Sequence, residues 1–348
     1  MIKRPMRPMC AAAIALMGAL PAMAQPIEQR DLDRLSSDDL KQVQAARSSI
    51  ITAISDPGMP VGNRLDASTQ LIGPVRAMIE SGDENEIVNG LMIAGSMVTP
   101  EAIGLIESTY ANETQGVRYA AMRALRTTLR ILGDQRTPSL QAPEVGRQIK
   151  AAGEMLRTDP DVYVAEGAAR ALVQAAKMSN DRLKSSAETA FTELAQGAST
   201  RLASVEGLSD EKQEGAIRIA MMSTFELGRI LQGANRPGQT AVREAGALAG
   251  DSLAYVYKRF QDAGRQIGSI NAEEKVELTQ LVGSSETLIY YARSALGQAA
   301  EQTQLRANFE SGNDRDFNRN ILSIIGGTGI LTQPPFSLKA DRFVASGG

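Results

Sequence analysis

The residue types that most often do chemistry near neutral pH are almost missing from this 348-residue chain. It has no histidine, and its single cysteine, Cys10, lies close to the N-terminus. Without histidine, the usual general base, the Ser-His-Asp triad and the commonest zinc ligand are all excluded. The segment that contains Cys10, residues 1–24, has the pattern of a signal peptide and we expect it to be removed. Its removal would also exclude thiolate catalysis and thiolate metal sites. An enzyme built from this sequence has to use carboxylates, lysine, tyrosine or serine.

One serine and one lysine have the spacing of the penicillin-binding-protein nucleophile. Ser209 and Lys212 match S-x-x-K, but the K-T-G motif of that chemistry is absent and no pattern of a β-sheet accompanies them. Ser209 also stands immediately before a helical pattern, where serine favours the N-cap position. We predict that Ser209 begins a helix.

A second motif is similar to that of lytic transglycosylases, which are helical cell-wall enzymes with a catalytic glutamate. Glu80-Ser81 precedes Gly90-Leu91-Met92, but Ile93 replaces the glutamine of that motif and the spacing is too short. The simpler prediction for Glu80 is the end of a helix followed by a polar turn.

Three further segments have some features of ligand sites. Gly326–Ile330 (GGTGI) is glycine-rich but fits neither G-x-G-x-x-G nor the phosphate-binding loop. Gly82–Glu86 and Asn313–Asp316 carry carboxylates without the spacing of an EF-hand. We predict turns and solvated loops at all three, and we expect no cofactor, no metal and no catalytic residue.

The best functional candidate is a row of arginines. Arg123, Arg126 and Arg130 fall within about 60° of one another on a helix that turns about 100° per residue. Arg118 points instead towards the apolar side. An exposed arginine row is suited to an acidic protein partner, because arginine is enriched at interfaces. The alternative is an ordinary solvated helix face.

The helices that would position this row come in pairs with similar sequences. Pro100-Glu101 and Pro143-Glu144 each begin a helix, 43 residues apart. The helices that follow match at an offset of 47. That offset aligns five residues of the first helix, Val117, Ala121, Arg123, Ala124 and Leu125, with Val164, Ala168, Arg170, Ala171 and Leu172.

These two helices resemble the second helix of HEAT-type repeats, including the short repeats related to phycobilisome lyases. GVRYAAMRALRTTL and DPDVYVAEGAARAL keep much of the family pattern Asp-Pro-x-Val-Arg-x-x-Ala-Ala-x-Ala-Leu, and TPEAIGLIES resembles its first helix. The first segment lacks the Asp-Pro, and in the second the Asp-Pro lies two residues early. The resemblance covers residues 86–176 and implies an all-α solenoid of antiparallel helix pairs. The alternative is an ordinary helical domain.

The rest of the chain divides by pattern. We expect HEAT-like repeats over residues 25–180. We expect longer helices over 181–308, either degenerate repeats or a helical bundle. From 309 to 348 we expect an irregular tail, docked by Ile321, Ile324 and Ile325.

The N-terminus has the features of a secretory signal peptide. A basic start is followed by a short apolar run and by Ala-Met-Ala, so we expect cleavage near Ala24 and a periplasmic or secreted protein. Loss of Lys3, Arg4 and Arg7 changes the net charge from −3 to −6. An acidic mature chain is a poor candidate for nucleic acid, and no later segment is apolar enough to span a membrane.

Together these features predict an exported, non-catalytic scaffold that binds another protein of the cell envelope. One alternative is an enzyme on a helical-repeat fold, either a carboxylate-dependent cell-wall enzyme or a lyase-like enzyme. Another is a purely structural envelope protein, which the sequence does not separate from the scaffold. Two carboxylates facing each other across a deep cleft would favour the enzyme.

Overall fold

The computed structural model describes residues 27–37, 39–205 and 209–343. The regular secondary structure of these residues is helical. The expected signal peptide, residues 1–24, lies outside them. The helices are α1 (Gln29–Leu35), α2 (Leu40–Ile54), α3 (Val61–Glu80), α4 (Glu84–Met97), α5 (Pro100–Glu107), α6 (Gln115–Asp134), α7 (Ala142–Thr158), α8 (Val162–Ala176), α9 (Lys184–Ala203), α10 (Asp210–Gln232), α11 (Gln239–Asp262), α12 (Ala272–Ala295), α13 (Leu305–Ser311) and α14 (Asp314–Ile325).

The helices stack in two layers. In one layer α2, α4, α6, α8, α10 and α12 each pack beside the next even-numbered helix. In the other layer α7 packs beside α9 and α9 beside α11. Across the two layers α7 packs against α8, α9 against α8 and α10, and α11 against α12. This arrangement is an all-α solenoid of helix pairs, which confirms the predicted fold class. The same stacking runs from α4 to α12, so the longer helices after residue 180 continue it.

Small residues let neighbouring helices of the even-numbered layer approach closely. A Cβ atom on Gly95 of α4 would lie 2.7 Å from the carbonyl oxygen of Ala124 and 2.8 Å from its Cα, both on α6. The hydroxyl of Thr128 donates to the carbonyl oxygen of Gly95 over 2.9 Å. The alanine-rich and glycine-rich composition therefore serves close helix packing.

Two helix boundaries differ from the sequence-based expectation. The pattern of residues 35–55 predicts one helix with Ser36 as its N-cap, but Ser36 ends the additional helix α1. Asp39 caps α2 instead, by accepting from the backbone N–H of Lys41. The pattern after Asn271 predicts one long helix, but α12 ends at Ala295 and Gly297 adopts a φ of 77°. Glycine tolerates this left-handed conformation, so the chain can turn there before α13.

The C-terminal segment is more ordered than the expected irregular tail. Residues 314–325 form α14 because Phe317, Ile321, Ile324 and Ile325 all lie on one buried face. The three isoleucines do dock this segment.

The residues after α14 pack against α11. Phe336 and Phe343 are buried next to Gly246 and Gly250, where a Cβ atom would collide with their rings. Arg342 also forms an ion pair with Asp251 at 2.8 Å. This segment therefore covers an α11 surface that would otherwise lie at the end of the stack.

Candidate binding surface

The predicted arginine row lies on the outer side of α6. Arg123, Arg126 and Arg130 are exposed there. The opposite side of the helix is buried in the solenoid. Its buried residues include Val117, Ala121, Ala124, Leu125 and Leu132. The helical spacing thus placed the three arginines correctly.

Arg118 lies outside this row, as the spacing predicts. Its Nε donates to Asp159 Oδ2 over 2.8 Å and its Nη2 to Oδ1 over 3.2 Å. The side chains of Arg118 and Asp159 are only 14% and 3% exposed. Asp159 ends α7, so this ion pair joins two successive helix pairs and serves the fold.

The arginines of the row have little to neutralise them. Within the described residues none of Arg123, Arg126 and Arg130 forms an ion pair with a carboxylate. Arg123 makes a cation–π arrangement, in which its Cζ lies 5.9 Å from the centre of the Tyr119 ring. Their positive charge is therefore available to a partner.

The next two helices of the layer continue the surface. On α8, Tyr163 and Arg170 are seven residues apart and both are exposed. On α10, Arg218, Phe225 and Arg229 are exposed and share one helix face, since steps of seven and four residues return to the same side. We name these five residues, with Tyr119, Arg123, Arg126 and Arg130, the arginine–aromatic face.

Most of the exposed large apolar and aromatic side chains lie on the even-numbered helices. Six large apolar or aromatic side chains are markedly exposed in the described residues, and five of them lie on even-numbered helices. Those on the arginine–aromatic face are Tyr119, Tyr163 and Phe225, at 38%, 49% and 55% exposure. Arginine and aromatic residues dominate binding hot spots in protein interfaces, which makes this face a candidate interface.

Glu166 bridges α8 and α10 within the face. It accepts from Arg170 Nη2 over 2.6 Å and from Arg218 Nε over 3.2 Å. Burial by itself would raise the pKa of Glu166, but the hydrogen bonds from the two arginines outweigh it and leave that pKa below its ordinary value. The bridge fixes α8 against α10 and leaves the α6 arginines as the unpaired part of the face.

The two motifs similar to catalytic motifs, at Ser209 and at Glu80, have structural roles. Ser209 is the N-cap residue of α10, where its carbonyl oxygen accepts from the N–H of Lys212, although its hydroxyl makes no capping bond. Glu80 is the last residue of α3 and pairs with Arg76 at 3.6 Å, while Gly90 is buried in α4. Neither arrangement places a nucleophile or an acid in a cleft.

The glycine-rich and acidic segments also have structural roles. Gly326 ends α14, and the hydroxyl of Thr332 donates to the carbonyl oxygen of Gly329 over 2.9 Å in the turn that follows. Asp83 and Asn313 cap α4 and α14 through their side-chain oxygens. No cluster of three potential metal ligands occurs among the residues that the structure describes.

One pair of carboxylates does approach across two helices. Burial, and then the nearby charge of Glu214 on α10, raise the pKa of Glu277 on α12. Glu277 is partly exposed, and neither glutamate lines the cleft described further below. The pair therefore does not form the facing carboxylates in a deep cleft that the enzyme alternative requires.

No helix in the described ranges combines the length and the apolar character that a bilayer-spanning helix needs.

The comparisons with known proteins add little to these observations. Protein-family models give no match, and curated protein sequences give none either. An engineered protein of a structural genomics consortium is similar in structure, with 14% identity and a TM-score of 0.40, over 76% of this chain and 96% of that chain. A designed armadillo repeat protein has 13% identity and a TM-score of 0.38, over 76% of this chain and 98% of that chain. Since both TM-scores are below 0.5, we base the assignment of a helical-repeat solenoid on its own helix packing.

The sequence showed the α6 arginines but missed the aromatic part of the face. Tyr163 and Phe225 each lie seven residues from an arginine on the same helix, which is the spacing that revealed the arginine row. Applying the same angular test to α8 and α10 would have found both. The choice of helices that lie next to α6 depends on tertiary packing. Residue spacing within one helix does not reveal it.

Proposed function

We propose that this chain is an exported, non-catalytic scaffold that holds an acidic partner protein of the cell envelope on its arginine–aromatic face. The observation that carries this proposal is the joint exposure of the unpaired arginines of α6 and of aromatic rings on α6, α8 and α10. Solenoids present extended surfaces of this kind to their partners. Arginine suits an acidic partner because its planar guanidinium group can bind a carboxylate in two places.

The location and the repeat type belong to the same proposal. Export rests on the basic, apolar and Ala-Met-Ala segments of residues 1–24. The HEAT type rests on the residues that recur at an offset of 47, such as Val117 with Val164 and Leu125 with Leu172, all four of which are buried.

Affinity capture from an envelope extract tests the proposal. The bait is residues 25–348, beside a variant with Arg123, Arg126 and Arg130 all changed to Glu. A matched control carries Arg182→Glu and Arg315→Glu, which reverse two exposed charges away from the face. We expect one protein to be retained in stoichiometric amount by the wild type and the control, and to be lost by the triple variant.

Two results would overturn the proposal. Equal retention of every protein by all three baits would remove the arginine–aromatic face as the binding surface. Recovery of cell-wall fragments in place of a protein, together with their cleavage by the bait, would replace the scaffold with the enzyme alternative.

N-terminal sequencing of the protein from the envelope fraction tests the export step. A chain that begins near Gln25 agrees with cleavage after Ala24. An uncleaved chain recovered from the cytoplasm contradicts export.

A further inference from the structure

A cleft opens near the ends of α8 and α10, next to the beginning of α9. Its volume is about 360 Å³, within the range of sites that hold small ligands or single side chains of a partner. Its apolar lining residues include Ala176, Met178, Ala187, Phe191, Ile230 and Pro237. An apolar group of a partner would therefore be removed from water on entering it.

The charged lining of the cleft is mostly positive. Lys177, Lys184, Arg229 and Arg236 line it together with a single carboxylate, that of Glu188. Glu188 is already engaged, since it accepts from the backbone N–H of Gly238 over 3.2 Å. The cleft thus offers a positive rim around an apolar interior.

Two of these four cations are free to bind an anion. Lys177 lies 2.9 Å and Arg229 3.9 Å from Glu226, which neutralises part of their charge. Lys184 and Arg236 are exposed and form no ion pair within the described residues. These two side chains are the cations that a ligand carboxylate would meet unpaired.

The cleft adjoins the arginine–aromatic face at equivalent positions of neighbouring helices. The offset of 47 residues aligns Arg130 of α6 with Lys177, which immediately follows α8, and these two helices pack side by side. Arg229 is a member of the face and also lines the cleft. One extended chain lying across these helices would meet the face and the cleft in turn.

We propose that this cleft binds a segment of a partner polypeptide in which a bulky apolar side chain lies close to a carboxylate. The apolar side chain occupies the space next to Phe191 and Ile230, and the carboxylate is held by Lys184 and Arg236. This inference rests on the proposed function, because it names the part of the acidic partner that the scaffold recognises. Continuity with the arginine–aromatic face favours a polypeptide over a lipid, because Arg229 belongs to both and one extended chain would meet both.

Selection from a random peptide library displayed on phage tests the inference without a known partner. The target is residues 25–348, and each enriched peptide is then synthesised and its Kd measured for five proteins. These are the wild type, Lys184→Glu/Arg236→Glu, the cleft-filling variant Ala187→Met, the Arg123/Arg126/Arg130→Glu variant, and the control Lys150→Glu/Arg315→Glu, which reverses two exposed charges away from the cleft. Circular dichroism confirms that each variant is folded.

We expect the enriched peptides to share an acidic residue within three positions of a bulky apolar residue. Binding should weaken at least about tenfold in Lys184→Glu/Arg236→Glu, since reversing both contacts replaces attraction with repulsion. Ala187→Met should weaken binding while leaving every charge in place. The control should bind as the wild type does.

The outcomes separate this inference from the proposed function. Peptides that lose affinity only in the Arg123/Arg126/Arg130→Glu variant would overturn the cleft and leave the scaffold standing. Failure to enrich any peptide, with a fluorescent fatty acid bound in the cleft instead, would overturn the polypeptide occupant. Peptides without an acidic residue would overturn the role of the two cations.

Discussion

Arg118 of α6 and Asp159 at the end of α7 form a nearly buried ion pair with two hydrogen bonds, of 2.8 and 3.2 Å. Asp159 also accepts from the backbone N–H of Asp161, and Asp161 caps α8. Asp159 therefore links α6, the end of α7 and the start of α8.

Removing one partner of this pair should destabilise the solenoid strongly. We expect Arg118→Ala to lower the free energy of unfolding by about 2–4 kcal/mol, because it leaves a carboxylate buried without its counter-charge. Urea unfolding followed by circular dichroism measures the change. Arg170→Ala is the matched control, since Arg170 is 47% exposed and its pair with Glu166 should contribute less than about 1 kcal/mol. Equal effects of the two substitutions would contradict the structural role of Arg118.

A second buried arginine holds helix ends together without a carboxylate partner. Arg64 of α3 is 1% exposed, and its guanidinium donates to the carbonyl oxygens of Ile54, Asp56, Ser96 and Met97. These carbonyls lie at or near the C-terminal ends of α2 and α4, where the helix dipole favours a cation. Burial lowers the pKa of Arg64 below its ordinary value.

Arg64→Met should therefore cost about 3 kcal/mol of stability, because it leaves the buried carbonyls unpaired while keeping most of the side-chain volume. Urea unfolding again measures the loss. Arg64→Lys should be intermediate, since it keeps the charge with fewer donors. A variant Arg64→Met as stable as the wild type would show that water replaces the lost contacts.

Two glutamates should respond to pH in opposite directions. The pKa of Glu166 lies below its ordinary value of 4.5, so its contribution to stability is present above that pH and is lost as the pH falls through the lowered pKa. The pKa of Glu277 lies above that value, so its contribution is present below it and is lost as the pH rises through the raised pKa.

At pH 7, Glu166→Gln should thus be less stable than the wild type, and Glu277→Gln slightly more stable. Both differences should shrink in acid, where the wild-type side chains are protonated as well. Urea midpoints measured between about pH 3 and pH 7 test this. Differences that do not vary with pH would contradict an electrostatic origin.

The segment after α14 should detach when its glycine contacts are filled. Gly250→Ala places a methyl group against Phe343 and Leu331, so we expect the segment to leave α11. Limited proteolysis should then cut within residues 331–343 much faster than in the wild type. Gly268→Ala, where nothing lies within 4 Å of the added atom, is the control. Unchanged cleavage in Gly250→Ala would show that the segment adapts in place.

Local periodicity explains most of what the sequence predicted correctly. The buried Val117 and Leu125 and the exposed Arg126 follow from the turn of one helix, and the fold class follows from the repetition of that pattern. The order of residues 331–343 did not follow, because Phe336 and Phe343 are fixed by Gly246 and Gly250, about 90 residues away. The cleft also depends on packing, since three helices and the segment after α10 each contribute part of it.

The α6 arginines should contribute to binding and not to folding. Exposed side chains without ion pairs usually change stability by no more than about 0.5 kcal/mol when replaced. We therefore expect Arg123, Arg126 and Arg130 changed together to Glu to unfold at nearly the wild-type urea concentration. A large loss of stability in that variant would show that the row serves the fold.

Site-specific photo-crosslinking in cells of the source organism tests whether the arginine–aromatic face holds an acidic partner. A photoreactive amino acid replaces Arg126 on the arginine–aromatic face or, as the control, the exposed Lys150 on α7 of the other layer. We expect one discrete adduct with an acidic envelope protein from position 126 and none from position 150. No adduct at position 126, or the same adducts from both positions, would show that this face does not bind the partner.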